Sequence, residues 1–511
     1  MGSRIAVPLL ALFTASACAV SPEAAPRTSA SPAPPPSATA SGTAQDTRPA
    51  LAQTSSTMTE NLKVEVVGLD RVKGKHLIAQ VRLTNTGSEK KLSWTGEMGD
   101  NTRPLGRIRW ASGIGVLDAQ ARAWILPYQP AGFPCLCSDQ DRDGLGYFID
   151  PGESISLYAV MPAPTGNPSA TTVVTPVGPP MVNVPISDDP PVTPPGMTIP
   201  DPDAEPVITV TRRIVTPSES LDRSEETADD GTDLQVNLSS DVLFAVDKAT
   251  LTPKAKAVLA RTAKLIDASP GETVRVEGHA DSSGTDAIND PLSGRRAQAV
   301  RQVLSTAVTR QGVGFQAKGY GSRRPLYGND TDEGKRRNRR VTVTFAKPRP
   351  ATTATPTTTA ATAAPGTTGL TGTGKADGQP IAMEITGLRR LAGGLGLLTY
   401  RITNRGAEEA WFNELHQARD WMSFKYRAAF NLTLTDVQAR RQYLPARLQV
   451  ADDDGVDSYC ACTDVSGVRL STTKFAPGQQ REFWSLFALP ETAGTLNVKI
   501  ARFADLQVPI S

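Results

Sequence analysis

Two segments of the chain, about 58–187 and 379–511, carry the same short motifs in the same order. The first has Val-Val-Gly-Leu-Asp-Arg (66–71), Leu-Thr-Asn-Thr-Gly (83–87), Asp-Ala-Gln-Ala-Arg (118–122), Cys-Leu-Cys (135–137) and Val-Pro-Ile-Ser (184–187). The second answers with Ile-Thr-Gly-Leu-Arg-Arg (385–390), Ile-Thr-Asn-Arg-Gly (402–406), Asp-Val-Gln-Ala-Arg (436–440), Cys-Ala-Cys (460–462) and Val-Pro-Ile-Ser (508–511). A repeat of this kind obliges the chain to make one design twice, with something else between the copies. Each copy alternates apolar and polar residues in short runs, such as Lys-Val-Glu-Val-Val (63–67) and Ile-Ala-Gln-Val-Arg-Leu (78–83), broken by Gly, Asn and Pro. That period of two predicts antiparallel β-sandwiches of immunoglobulin-like type. All six Trp fall in the copies (Trp94, Trp110, Trp124, Trp411, Trp421, Trp484), with Tyr158 and Phe487 in roughly equivalent places. These aromatics are expected mainly in cores, the alternative being an exposed platform for glycan or protein.

The remaining sequence divides by composition. Residues 1–18 read as an export signal, with Arg4 as the positive end, Ile5 to Phe13 as the apolar run and Ala-Ser-Ala before Cys18. Cys18 is then a candidate for lipidation and thus for attachment to a membrane, with ordinary cleavage nearby as the alternative. Ala, Pro, Ser and Thr dominate 19–57, which predicts a disordered tether. An acidic, Pro-rich linker is expected over 188–233 and a Thr/Ala/Pro linker over 348–378, leaving a distinct central domain at 234–347. The 511 residues hold 54 basic and 52 acidic side chains, but the near balance hides a local contrast. The segment 235–346 has 18 Lys and Arg against 11 Asp and Glu, while 188–233 has 12 acidic and three basic residues. In an exported protein the basic module suits an anionic wall polymer rather than nucleic acid, and the acidic linker could fold back on it.

The strongest chemical signal lies in Gly278–Val300. Asp281 stands in a polar, Gly-containing loop after the strand-like run 273–277, and Arg296 stands on the helix expected to follow. One carboxylate for an ammonium and one guanidinium for a carboxylate together suit a zwitterionic, amino-acid-like head group, such as the free α-amino-acid centre of meso-diaminopimelate in peptidoglycan. Three further blocks accompany it: Val242–Phe244 with Ala249–Pro253, Lys-Gly-Tyr-Gly (318–321) with Pro325, and Gly-Lys-Arg-Arg-Asn-Arg-Arg-Val (334–341). Together they resemble the OmpA C-terminal family, the peptidoglycan-associating module shared with Pal lipoproteins and flagellar stators, over about 235–347. The resemblance implies that Asp281 takes the ammonium of diaminopimelate and Arg296 its carboxylate, with Asn289, Asn338 and Arg340 lining or bracing the pocket. Ala280 stands where the family commonly has Thr, and Ala245 where it is often acidic. The implied fold is a small mixed sheet with helices on one face: strands near 237–243, 273–278, 313–319 and 339–346, and helices over 252–268 and 291–309. The whole is then an α+β multidomain protein, this module flanked by two β-sandwich copies on disordered linkers.

Other candidates are weaker. Of five cysteines, Cys135 with Cys137 and Cys460 with Cys462 form two Cys-x-Cys pairs, read first as small disulfides, with redox exchange, metal binding or cross-copy bridges as alternatives. Asp139, Asp141 and Asp143 with Gly144 and Asp150 have the spacing of a calcium loop, but a solvated acidic loop is the plainer reading. Only three His occur, and no nucleophile, zinc or phosphate-loop pattern is present, so neither an enzyme nor a cofactor is expected; a cell-wall hydrolase is the weakest alternative. A protein- or glycan-binding role in the copies is the main rival reading.

Overall fold

The computed structural model describes residues 46–100, 102, 110–132, 135–348, 370–417, 424–425, 428–452, 455–463 and 474–511. The expected export signal with Cys18, residues 19–45 of the expected tether, residues 349–369 and Trp421 lie outside the described residues. No helix among the described residues is long and apolar enough to cross a membrane.

Each flank contains a four-stranded antiparallel sheet of the same order. In the first it runs Ala52–Ser55, Leu62–Val72, His76–Asn85, Ser154–Pro162; in the second, Leu370–Ala376, Gln379–Arg390, Leu395–Asn404, Gln480–Ala488. Both break register once, between Val66 and Gly68 and between Ile385 and Gly387, so the pairing of the second and third strands bulges at matching places. The shared Asn-x-Gly motif has a structural cause. Asn85 is fully buried, donates to the Lys90 and Ile149 carbonyls at 2.8 and 3.0 Å and accepts from Gly87 N. Asn404 does the same with the Glu408 and Phe475 carbonyls and Gly406 N. Strand register sets Tyr158 opposite Gln80 and Trp484 opposite Thr399, so Tyr158 corresponds to Trp484 rather than to Phe487. Trp94, Trp124 and Trp484 are buried, the last two in a core that the flanks share, with Leu117, Leu126, Leu395, Leu397, Leu448 and Leu486. Cys135–Cys137 and Cys460–Cys462 are disulfide-bonded and buried, with Cys137 and Cys462 bridging to Ala159 and Ser485 of the adjoining strands.

All three segments read from composition as linkers contribute strands. Ala52–Ser55 and Leu370–Ala376, assigned above to the tether and to the Thr/Ala/Pro linker, are edge strands, because backbone pairing to the neighbouring hairpin needs no large side chain. The largest departure is the acidic stretch 188–233, which holds strands β1 (Val207–Ser220) and β2 (Glu225–Asp229). The β1 strand pairs with Ala123–Pro130 of the first flank, with Arg441–Tyr443 and Arg447–Asp452 of the second, and with β2. The acids are spent on cations around it: Asp229 on Arg122 and Lys347, Glu225 on Arg441 and Arg261, Glu219 and Glu226 on Arg337. Flanks and central domain therefore share one continuous sheet.

The central domain continues through β3 (Asp233–Ser239), a one-turn α1 (Ser240–Leu243), α2 (Pro253–Asp267), β4 (Thr273–Gly278), α3 (Asp286–Ala307), β5 (Gly314–Gly319), α4 (Asp332–Asn338) and β6 (Arg340–Ala346). Sheet order is β3-β6-β4-β5, with β4 and β5 parallel and the other pairs antiparallel. Thr252 caps α2 by accepting from Ala255 N, and Pro253 occupies the first turn, where no N–H is missed. Buried positions Ala255, Val258, Leu259, Thr262, Ala263 and Ile266 recur every three or four residues, the stripe that docks α2 on Val274, Val276, Val341 and Val343. The α3 helix starts five residues earlier than Pro291 suggests, and α4, absent from the expectation, is capped by Thr331.

Glycine lets α3 lie almost in contact with the sheet. A Cβ on Gly278 would sit 2.1 Å from the Ser293 carbonyl, and one on Gly319 2.3 Å from Gly294 N. Gly278→Ala is expected to lower stability by about 2–3 kcal/mol or more, because backbone rather than a yielding side chain is in the way. Urea unfolding checks this; a midpoint matching the parent would show that the helix can shift freely.

Candidate functional site

The β4 strand delivers its chain into a loop at the sheet's carboxyl end, and Asp281 is the third residue past it. His279 N donates to the Arg340 carbonyl and Ala280 N to that of Gly321, which fixes the loop against β6 and the turn after β5. Asp281 is only 5% exposed. Its carboxylate accepts from Ser283 N at 2.9 Å through Oδ1 and from Arg339 at 2.6 Å through Oδ2. Arg339 also grips both oxygens of Asp241, at 2.9 and 2.8 Å, and these paired carboxylates hold its pKa above the ordinary arginine range. Since a carboxylate offers about four lone-pair positions, Asp281 keeps acceptor capacity after both contacts.

Arg296 lies on the inner face of α3, two turns after Asn289, and is 9% exposed. Its Nε donates to the Lys248 carbonyl at 3.0 Å, and the guanidinium stands 5.2 Å from the Phe244 ring centroid. Among the described residues no carboxylate forms an ion pair with it, although Asp241 and Asp247 are near enough to offset part of the burial that lowers its pKa. The planar fork is thus anchored at its base, stacked on an aromatic face and still without an anion. Arg339 joins Asp281 to Asp241, and the charges of Asp241 and Arg339 both act on Arg296.

The remaining expected residues brace this arrangement. Asn289 donates to the Ser283 carbonyl at 2.9 Å and so closes the Asp281 loop. Asn338 is fully buried; its oxygen accepts from Leu326 N and Tyr327 N, and its nitrogen donates to the Tyr327 carbonyl and to Asn329 Oδ1. Asn329 Oδ1 accepts in turn from Ser282 N at 3.2 Å. Arg340 points into the sheet, where it donates to Thr342 Oγ1 and to the Asn338 and Arg324 carbonyls, and burial pushes its pKa down to about 10. Sequence reasoning passed over Arg339 and Asp241, which complete the charge set. Arg339 lies inside the Arg-Arg-Asn-Arg-Arg block already singled out, but nothing in that run distinguishes it from its neighbours.

His279 stacks on Tyr320 with centroids 5.6 Å apart, and burial, with the Arg340 and Arg324 cations, pushes its pKa down to about 3. The folded state therefore refuses a proton that the unfolded chain accepts near pH 6.5. Its contribution is complete above that pH and is lost as the pH falls toward 3, by up to roughly 4–5 kcal/mol. Glu333, held down to about 2 by Arg336 and Arg337, adds loss in the same direction below about pH 4.5. Urea midpoints across pH 3–8 are expected to fall on acidification, less steeply in His279→Phe; identical slopes would remove His279 from the account.

Away from this site three of the four carboxylates with calcium-loop spacing are otherwise engaged. Asp139 accepts from the Asp141 and Arg142 amides, Asp143 accepts from Asp139 N, and Asp150 pairs with Lys91 at 2.7 Å. Among the described residues, no three metal-ligating side chains converge.

Comparison with known proteins places the same segment. Residues 243–339 match the family model described as the OmpA family. Outer membrane porin F of Pseudomonas aeruginosa is 42% identical over 106 residues, which cover 21% of this chain and 30% of that protein. The peptidoglycan-binding protein ArfA of Mycobacterium bovis is 36% identical over 102 residues, 20% of this chain and 31% of ArfA. The outer-membrane lipoprotein YfiB of Pseudomonas aeruginosa is 33% identical over 109 residues, 21% of this chain and 64% of YfiB. The chain thus spans about a third of the length of the porin F and ArfA relatives.

Proposed function

From the premise that residues 243–339 are an OmpA-family domain, we propose that this protein is an exported envelope protein that binds peptidoglycan non-covalently through the diaminopimelate residue of its stem peptide. The observation that carries the reading is Arg296: a buried guanidinium, anchored at Nε, that forms no ion pair among the described residues and is linked through Asp241 and Arg339 to the buried Asp281 carboxylate. A buried cation is costly unless its charge is met, so the site is built to be completed by an anion. The ligand carboxylate pairs with the Arg296 fork, and its ammonium reaches Asp281, whose position Ser283 N and Arg339 maintain. Asn289, Asn338 and Arg340 act through the loop and the sheet rather than on the ligand. Names of relatives that include porins, a lipoprotein and a peptidoglycan-binding protein agree with a place in the envelope.

The flanks, in this reading, are two copies of one β-sandwich held at the wall by the central domain, and Cys18 carries a lipid that ties the chain to a membrane. The mechanism is adhesion without turnover. Sedimentation of the full chain with purified sacculi tests it. Binding to diaminopimelate-type peptidoglycan, competed by a soluble diaminopimelate tripeptide and weak toward lysine-type wall, is expected. Equal retention on both walls would move recognition to the flanks or to bulk charge.

A further inference from the structure

Tyr327 belongs to the central domain, yet its side chain is buried in the second flank. It is 5% exposed and packs with Ala428, Phe430, Leu444 and the Cys460–Cys462 disulfide. The guanidinium groups of Arg337 and Arg447 stand 5.7 and 5.8 Å from its ring centroid, and its hydroxyl donates to Glu226 of β2. Its backbone has a different role. Tyr327 N donates to Asn338 Oδ1 at 3.0 Å and its carbonyl accepts from Asn338 Nδ2 at 2.8 Å. The same Nδ2 reaches Asn329, whose side-chain oxygen holds the amide of Ser282, the residue after Asp281. Arg339, the next residue after Asn338, holds Asp281 itself.

We infer that Tyr327 is a positioning residue through which the second flank clamps the wall-binding loop, so that affinity for the stem peptide depends on a domain that does not touch it. The inference rests on the wall-binding reading above. The ring is held by the apolar cluster of the second flank, while the segment's backbone and Asn329 are tied to Asn338, and one hydrogen bond, from Ser282 N to Asn329 Oδ1, joins the segment to the Asp281 loop. Loosening the pocket frees residues 326–329, and with them the Ser282 amide. Coupling of this kind is reciprocal, so ligand at Asp281 and Arg296 also steadies the pocket around the disulfide.

The test is calorimetric titration of the full chain with a soluble diaminopimelate tripeptide, well below its unfolding temperature, alongside amide exchange at Ser282. Tyr327→Ala and, from the flank's side alone, Leu444→Ala are expected to weaken binding about five- to tenfold and to speed exchange at Ser282. Tyr327→Phe, which refills the pocket, should bind within about twofold of the parent. A purely structural role would lower the melting temperature of the alanine variants and leave the affinity of the folded protein unchanged, and that result overturns the clamp. Should Tyr327→Ala not fold, Leu444→Ala decides. Should the parent itself fail to bind the tripeptide, the wall-binding reading falls, and unchanged Ser282 exchange in Leu444→Ala then disposes of the clamp separately.

Discussion

Arg296→Ala is expected to weaken binding of a diaminopimelate peptide by about a hundredfold or more, the range for removing one partner of a desolvated charge pair. The loss has two parts: the ligand carboxylate enters a buried site with no counter-charge, and nothing replaces its two parallel hydrogen bonds. Arg296→Lys separates them. It restores a cation but not the fork, and a lysine cannot reproduce both the Lys248 carbonyl contact and a bidentate grip, so about a tenfold loss should remain. Asp281→Asn removes the other charge while Arg339 stays held by Asp241, and a similar loss is expected from the ammonium end. Titration with the free tripeptide, together with melting curves, distinguishes these losses from unfolding. Parent-like affinity in Arg296→Ala would rule out this pocket.

The second large effect concerns stability. Arg337, 7% exposed, is the cation between Glu219 and Glu226 of the β1–β2 hairpin and Glu333 of its own helix. Arg337→Met fits the space but strands two buried carboxylates, and is expected to cost about 3–5 kcal/mol. Adding Glu219→Gln and Glu226→Gln should recover most of that loss, because the uncompensated charge and not the lost packing is responsible. By contrast, Arg323→Ala, which breaks a solvent-exposed pair with Asp290, should leave the urea midpoint nearly where it was. If Arg337→Met and Arg323→Ala shift the midpoint equally, the buried network does not hold the hairpin to the central domain.

The shared face of Asn289 and Arg296 was legible because helix geometry converts sequence spacing into a face: seven residues apart, both are buried on α3. Of the run Arg336, Arg337, Arg339 and Arg340, only Arg340 was given a part, through the family resemblance, because positive charge alone does not tell the four apart. Its members go to four different places, namely Glu333, the β1–β2 hairpin, Asp281 with Asp241, and the sheet interior. That divergence depends on α4, whose end at Asn338 turns successive side chains in opposite directions. The acidic stretch 188–233 misled for a related reason. Composition measures what a segment can bury by itself, whereas β1 is stabilised by partners at 123–130 and 441–452, the latter more than two hundred residues further along. Its Thr216, Ser218 and Glu219 are buried because each is hydrogen-bonded, which no composition count reveals.

That one strand serves three bodies has a consequence for how the chain comes to be assembled. Emerging from its N-terminus, the polypeptide cannot complete the sheet around Ala123–Pro130 until residue 213 is available, and the far rim of Val207–Ser220 then waits for residues 441–452. In that interval a row of unpaired amides is open to any neighbouring chain, the ordinary route to strand-swapped aggregates. Pieces cut at the boundaries that composition suggests would keep that raw rim permanently, so the smallest well-behaved unit runs from the first edge strand to the C-terminal one.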